Sequence, residues 1–185
     1  LGMSVNVSAS MFREDRAVER LKVIVQETDI APEDLSLELT ERDCMDHEEA
    51  THAVLAELQQ FGFKIHMDDF GTGYSSLSYL QRCSYDTLKI DRSFVQSIGT
   101  EEQSVAIIKT IVGLGRMLDM NVVAEGVETL EQYSILMEMN CQFGQGYLFS
   151  KPLDKPEIDG LIENIRQLAQ ESPGTQFSLP AMLSN

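Results

Sequence analysis

The sequence predicts an α/β fold, a modified TIM-type (β/α)8 barrel of which about six βα units are present. Strand-like segments alternate strictly with helix-like segments along the 185 residues, which indicates parallel βα units. An open doubly wound sheet shares this pattern. The barrel is favoured because each strand carries one polar residue near its carboxyl end, and such residues converge only if the strands curl around one axis. The two missing units are expected upstream of Leu1.

Each strand is predicted from alternating residues, and each helix from apolar residues at helical spacing. The predicted strands cover residues 3–8, 35–41, 63–69, 85–91, 121–125 and 141–149. Helices are predicted between them, and capping residues mark several of their starts: Asp46 with Glu49, Thr100 with Gln103, Thr129 with Gln132, and Asp154 before Pro156. A short helix is also expected over residues 76–82. Residues 1–170 form the predicted domain, and residues 171–185 a flexible C-terminal tail or linker.

The composition of the chain argues against several classes of partner and site. The net charge of −16 disfavours DNA, RNA and anionic lipid as partners, and no apolar run of about 20 residues spans a membrane. The three cysteines are distant from one another and form no CxxC pair, which fits a reducing cytoplasm. An anionic small ligand could still bind if metal ions mask the local carboxylates.

The polar residues at the strand ends suit a metal site. Asp68 and Asp69 end a buried strand and would repel each other unless a cation lies between them, although a solvated turn is the alternative. Carboxylate and amide oxygens favour Mg²⁺ or Mn²⁺ over zinc, and pairs of such ions cleave phosphodiesters. The oxygen donors expected at this site are Asn6, Glu38, Asp68, Asp69 and Glu125. Lys89 could polarise a water or hold a phosphate oxygen.

Six motifs in order resemble those of the EAL family of bacterial cyclic di-GMP phosphodiesterases. They are Asn6-Val-Ser, Glu38-Leu-Thr-Glu, Asp68-Asp-Phe-Gly-Thr-Gly-Tyr-Ser-Ser-Leu, Lys89-Ile-Asp-Arg-Ser-Phe, Ala124-Glu-Gly-Val-Glu-Thr and Gln145-Gly-Tyr. The resemblance implies hydrolysis of cyclic di-GMP to linear pGpG with two Mg²⁺ or Mn²⁺ ions. It also implies a homodimer, and it is compatible with a GGDEF or sensory domain in a parent chain.

The resemblance also implies a role for each matching residue. Asn6, Glu38 and Asp68 would bind the first metal, and Asp68, Asp69 and Glu125 the second. Lys89 would position the attacking water. Glu128 would support the second metal or the substrate, and Gln145 would hydrogen-bond within the site. Glu41 would anchor the loop of residues 70–76.

The sequence departs from the family in one respect. It contains no Glu-Ala-Leu tripeptide, the motif that names the family and supplies a metal ligand. We therefore expect the parent domain to be active and this segment alone to be inactive, because losing one carboxylate from a shared dinuclear site weakens metal binding. A sensor that binds cyclic di-GMP without cleaving it, or a protein-interaction domain, is the alternative.

Overall fold

A parallel six-stranded sheet with helices between its strands forms the frame of the protein. The computed structural model describes residues 2–8, 10, 11, 16–45, 48–73, 80, 82 and 84–171. The strands are β1 (Met3–Asn6), β2 (Leu35–Thr40), β3 (Lys64–Phe70), β4 (Thr87–Ile90), β5 (Asn121–Glu125) and β6 (Phe143–Gln145). Their order in the sheet follows their order in the chain, β1 to β6, and every neighbouring pair is parallel. The predicted repetition of βα units is confirmed.

The helices connect successive strands, and a 3-10 turn at Pro32–Asp34 precedes β2. They are α1 (Ala17–Thr28), α2 (Glu41–Met45), α3 (Glu48–Phe61), α4 (Arg92–Gln96), α5 (Glu102–Met117), α6 (Leu130–Glu138) and α7 (Lys155–Glu171). Within the described part of the chain, no helix is long and apolar enough to span a membrane.

The core lies between the sheet and its helices. Alternate residues of the central strands are fully buried there, such as Leu37 and Leu39 in β2 and Ile65 and Met67 in β3. The intervening residues of the same strands face the other side of the sheet, because successive strand side chains point to opposite faces. Those predicted site residues that lie on strands belong to this second set, apart from Asp69, whereas Glu41 and Glu128 lie outside the strands.

Several predicted caps are present. Thr129 and Gln132 form a capping box at the start of α6, and Asp154 accepts a hydrogen bond from the Glu157 amide at 3.1 Å at the start of α7. The predicted cap at Thr100 is wrong. Its hydroxyl donates to the Ser97 carbonyl at 3.0 Å and closes the turn after α4, so α5 begins one residue later. The predicted Asp46–Glu49 box cannot be compared with the structure, because Asp46 lies outside the described residues.

The sixth strand is shorter than predicted, with three residues in place of nine. The chain leaves the sheet after Gln145 because Gly146 lies against the backbone of Val127, where an added Cβ would approach within 2.3 Å of the Val127 nitrogen. The Leu148 amide then donates to the Val127 carbonyl at 3.0 Å. The predicted helix at 76–82 lies outside the described residues except for Leu80 and Arg82, and so does the predicted tail beyond Glu171.

Strands β1 and β6 form the two edges of the sheet. All residues of both strands are exposed, including Met3 (56%) and Phe143 (54%). The described chain is therefore a curled half-barrel that supplies six of the eight strands of a TIM-type fold.

Candidate active site

A buried lysine lies at the centre of the candidate site. Lys89 in β4 is 5% exposed, and its Nζ atom lies 2.7 Å from Glu38 Oε2, 3.1 Å from Asp68 Oδ1 and 2.8 Å from Glu125 Oε1. In a flat sheet the strands β2 and β5 would lie about 14 Å apart. One ammonium group contacts carboxylates from both, so the sheet curls around this point.

The end of β3 directs two consecutive carboxylates to the same place. Asp69 has a left-handed backbone (φ 53°), and the register between β3 and β4 shifts between Met67 and Phe70. Such a bulge turns a side chain that regular pleating would point to the opposite face. Asp68, Asp69 and Glu125 can each bring one oxygen within 4.8 Å of the others.

The charges of the cluster shift its pKa values. Burial alone would raise the pKa of Glu38, but the nearby His66 and the hydrogen bond from Lys89 outweigh it and lower that pKa from 4.5 to about 2. Burial alone would lower the pKa of Lys89, but its hydrogen bonds to Glu125 and Glu38 raise it above the usual range. Glu38 and Lys89 therefore form a stable ion pair at neutral pH.

Glu125 and Asp69 show the opposite shift, toward a higher pKa. Burial raises the pKa of Glu125, and the hydrogen bond from Lys89 offsets this only in part. Burial and then the negative charges of Asp68 and Asp91 raise the pKa of Asp69. The single ammonium group of Lys89 does not neutralise all of the carboxylates at this end of the sheet. Such an excess of negative charge is expected where a further cation binds.

Oxygen donors of this kind fit a divalent metal. Carboxylates grouped within 4.8 Å are the ligands that Mg²⁺ and Mn²⁺ prefer, and the described residues of the cluster contribute no thiolate that would favour zinc. The residues that could hold such ions are Glu38, Asp68, Asp69 and Glu125. Asn6 lies beside them on the neighbouring strand, because its backbone pairs in register with Glu38.

Glu41 contacts the loop that follows β3. Its Oε2 atom accepts hydrogen bonds from the amides of Gly71 at 3.2 Å and Gly73 at 3.3 Å, although Glu41 begins α2 and both glycines follow β3. Glu41 is nearly inaccessible to solvent (4% exposed). The contacts agree with the anchoring role that the resemblance implies for the described part of this loop.

A cavity of about 250 Å³ opens beside the cluster. Three of the predicted residues, Glu125, Glu128 and Gln145, line it. It also contains residues that the sequence analysis did not assign to the site: Arg92, Gln96, Gly126, Gly146 and Tyr147.

Arg92 and Gln96 were missed because they belong to α4, a helix too short to show apolar periodicity. The signal that could have revealed this helix is Asp91 two residues before Ser93. Asp91 Oδ1 accepts from the Ser93 amide at 3.0 Å, an N-cap that starts the helix immediately after β4. Gln96 in turn donates to Glu128 Oε1 at 3.4 Å across the cavity.

Comparison with known proteins assigns the chain to a family. The model of the EAL domain matches residues 1–152. This chain is a member of the EAL domain family. The resemblance found in the six sequence motifs is therefore confirmed, and the candidate site lies within the matched region.

Relatives of the EAL family share both sequence and structure with the chain. The cyclic di-GMP phosphodiesterase NbdA of Pseudomonas aeruginosa is 37% identical over 166 residues, which cover 90% of this chain and 21% of NbdA. The MucR phosphodiesterase of the same species, solved as a c-di-GMP complex, has a TM-score of 0.82 at 38% identity, covering 85% of this chain and 64% of that structure.

A third relative, Klebsiella pneumoniae BlrP1, was solved as a manganese and cy-diGMP complex. It has a TM-score of 0.77 at 34% identity, covering 82% of this chain and 39% of that structure. The chain spans about a fifth of the length of the curated relatives it matches.

Proposed function

We propose that this chain is the metal-binding and catalytic part of a cyclic di-GMP phosphodiesterase that produces linear pGpG. The observation that supports this most strongly is the ion-paired cluster in which Lys89 contacts Glu38, Asp68 and Glu125 from three different strands. Sequence relatives carry the name cyclic di-GMP phosphodiesterase, and related structures were solved with that nucleotide.

In the proposed reaction, water adds to one phosphorus of the cyclic dinucleotide and the bond from that phosphorus to its 3′ oxygen breaks. The products are a 5′-phosphate and a 3′-hydroxyl on one linear dinucleotide. When bound, two Mg²⁺ or Mn²⁺ ions would polarise the phosphate and lower the pKa of the attacking water. Asn6, Glu38, Asp68, Asp69 and Glu125 would hold them.

The remaining residues would orient the reactants. Lys89 is held rigidly by three carboxylates, so its ammonium group is suited to fix a water or a phosphate oxygen in one place. Glu128 and Gln145 line the adjacent cavity and would hydrogen-bond the nucleotide. Glu41 would keep the loop after β3 in position through the Gly71 and Gly73 amides.

Asp68→Asn tests this function. The change keeps the size of the side chain but removes the charge that we assign to both metal sites, so we expect turnover to fall by at least about 100-fold. The assay incubates the longer protein that contains this chain with cyclic di-GMP and Mn²⁺ or Mg²⁺ and measures pGpG chromatographically. Lys64→Gln is the matched control, because Lys64 lies on the same strand and pairs with Asp86 at 3.0 Å, away from the cluster.

Two results would contradict the proposal. Near-normal hydrolysis by Asp68→Asn would exclude the assigned role of Asp68. Binding of cyclic di-GMP without turnover by the unchanged protein would identify a sensor in place of an enzyme. The homodimer, the additional domain and the cytoplasmic location stay predictions.

A further inference from the structure

His66 lies beneath the carboxylate cluster and has no role in the mechanism above. It belongs to β3, two residues before Asp68, so both side chains lie on the same face of the sheet. The register places Glu38 on one side of His66 and Thr87 on the other. The side chain is only 17% exposed.

The two oxygens of Glu38 face different partners. Oε2 accepts from Lys89 at 2.7 Å, whereas Oε1 lies 3.7 Å from Nδ1 of His66. The second distance exceeds that of an ordinary hydrogen bond. Contacts of this kind in ligand-free sites are often long and shorten when the site is loaded. The imidazole is therefore placed to limit rotation of the carboxylate from the side opposite Lys89.

We infer that His66 is a positioning residue whose Nδ1–H group holds Oε1 of Glu38, so that Oε2 stays directed at the centre of the cluster. The inference rests on the proposed role of Glu38 as a metal ligand. Groups that orient a metal-binding carboxylate typically change metal affinity by 10–100-fold when they are removed. If His66 only filled space in the barrel, replacing it with a residue of similar volume would leave the metal affinity unchanged.

Two substitutions separate these roles. His66→Asn places an amide nitrogen where Nδ1 lies and keeps a donor toward Glu38. His66→Leu fills a similar volume without any donor. Lys64→Gln, on the same strand and the same face of the sheet, controls for a change of side chain that does not approach the cluster.

The measurement is the affinity for Mn²⁺ of the longer protein that contains this chain, purified without nucleotide, from the electron paramagnetic resonance signal of free Mn²⁺ in a titration. We expect His66→Leu to weaken binding about 10–100-fold. His66→Asn should retain most of the affinity, and Lys64→Gln should equal the unchanged protein. Circular dichroism checks that each variant is folded.

Equal affinity in His66→Leu and the unchanged protein would overturn the inference, and so would equal losses in the Asn and Leu variants. If the unchanged protein binds no Mn²⁺, the inference and the proposed function both fail. If the expected order of affinities is found but cyclic di-GMP is not cleaved, the positioning role stands and the proposed function fails.

Discussion

At the residue scale, the site depends on backbone geometry as much as on side-chain type. Asp69 adopts φ 53°, a conformation that aspartate tolerates better than most residues because its short polar side chain can bond locally. Its amide donates to Asp68 Oδ1 at 3.0 Å. Neighbouring carboxylates are thus turned toward one another by the same bulge that shifts the register between β3 and β4, whose pairing resumes at Phe70 and Ile90.

The depressed pKa of Glu38 predicts a loss of stability in acid. Its pKa is about 2 in the folded protein against 4.5 ordinarily, so the ionised carboxylate stabilises the fold above pH 4.5, and this contribution disappears as the pH falls toward 2. Between pH 6 and pH 3, in EDTA, we expect the unchanged protein to lose about 2 kcal/mol more unfolding free energy than Glu38→Gln.

Urea denaturation of both proteins at the two pH values measures this difference. The glutamine variant is the matched control, because it cannot titrate at position 38 while every other carboxylate still does. Parallel losses in the two proteins would show that Glu38 does not carry the acid sensitivity.

At the element scale, close approach between α5 and β5 fixes the position of the Glu125 strand. Gly115 faces β5, and a Cβ atom added there would lie 2.3 Å from Cγ2 of Val122. Gly113 lies on the exposed side of the same helix, with nothing within 4 Å of an added Cβ atom. The packing of α5 against β5 therefore requires glycine at position 115 but not at position 113.

These glycines give a prediction with an internal control. Gly115→Ala should destabilise the protein by about 1–3 kcal/mol, because the helix must move away from Val122. Gly113→Ala should stabilise it by about 0.5–1 kcal/mol, since alanine is the better helix former. Urea denaturation of each variant measures the change in unfolding free energy. A change of the same sign in both variants would contradict the assigned packing.

The elements also show what sequence can predict. Alternation of residues in β2, β3 and β5 was enough to place Glu38, Asp68 and Glu125 on one face, because strand periodicity fixes side-chain direction. It could not identify α4, which depends on a single cap at Asp91, nor the end of β6, which depends on contact between Gly146 and Val127. Contacts that join distant segments leave no local pattern, and the approach of His66 to Glu38 is another example.

At the scale of the whole molecule, the net charge of −16 and the clustered carboxylates make added cations stabilising. We expect Mn²⁺ at 100 times its dissociation constant to add about 2.7 kcal/mol to the unfolding free energy of EDTA-treated protein. Thermal unfolding with and without Mn²⁺ measures the shift. Asp68→Asn should show a smaller shift, and an equal shift in both proteins would indicate binding elsewhere.

The central position of Lys89 bears on the order of folding and metal binding. Zinc fingers do not fold without their ion, because metal binding supplies the free energy of folding. Here the ammonium group of Lys89 already lies in the middle of the carboxylate cluster and contacts Glu38, Asp68 and Glu125. We therefore expect the chain to fold without divalent ions and to bind them afterwards.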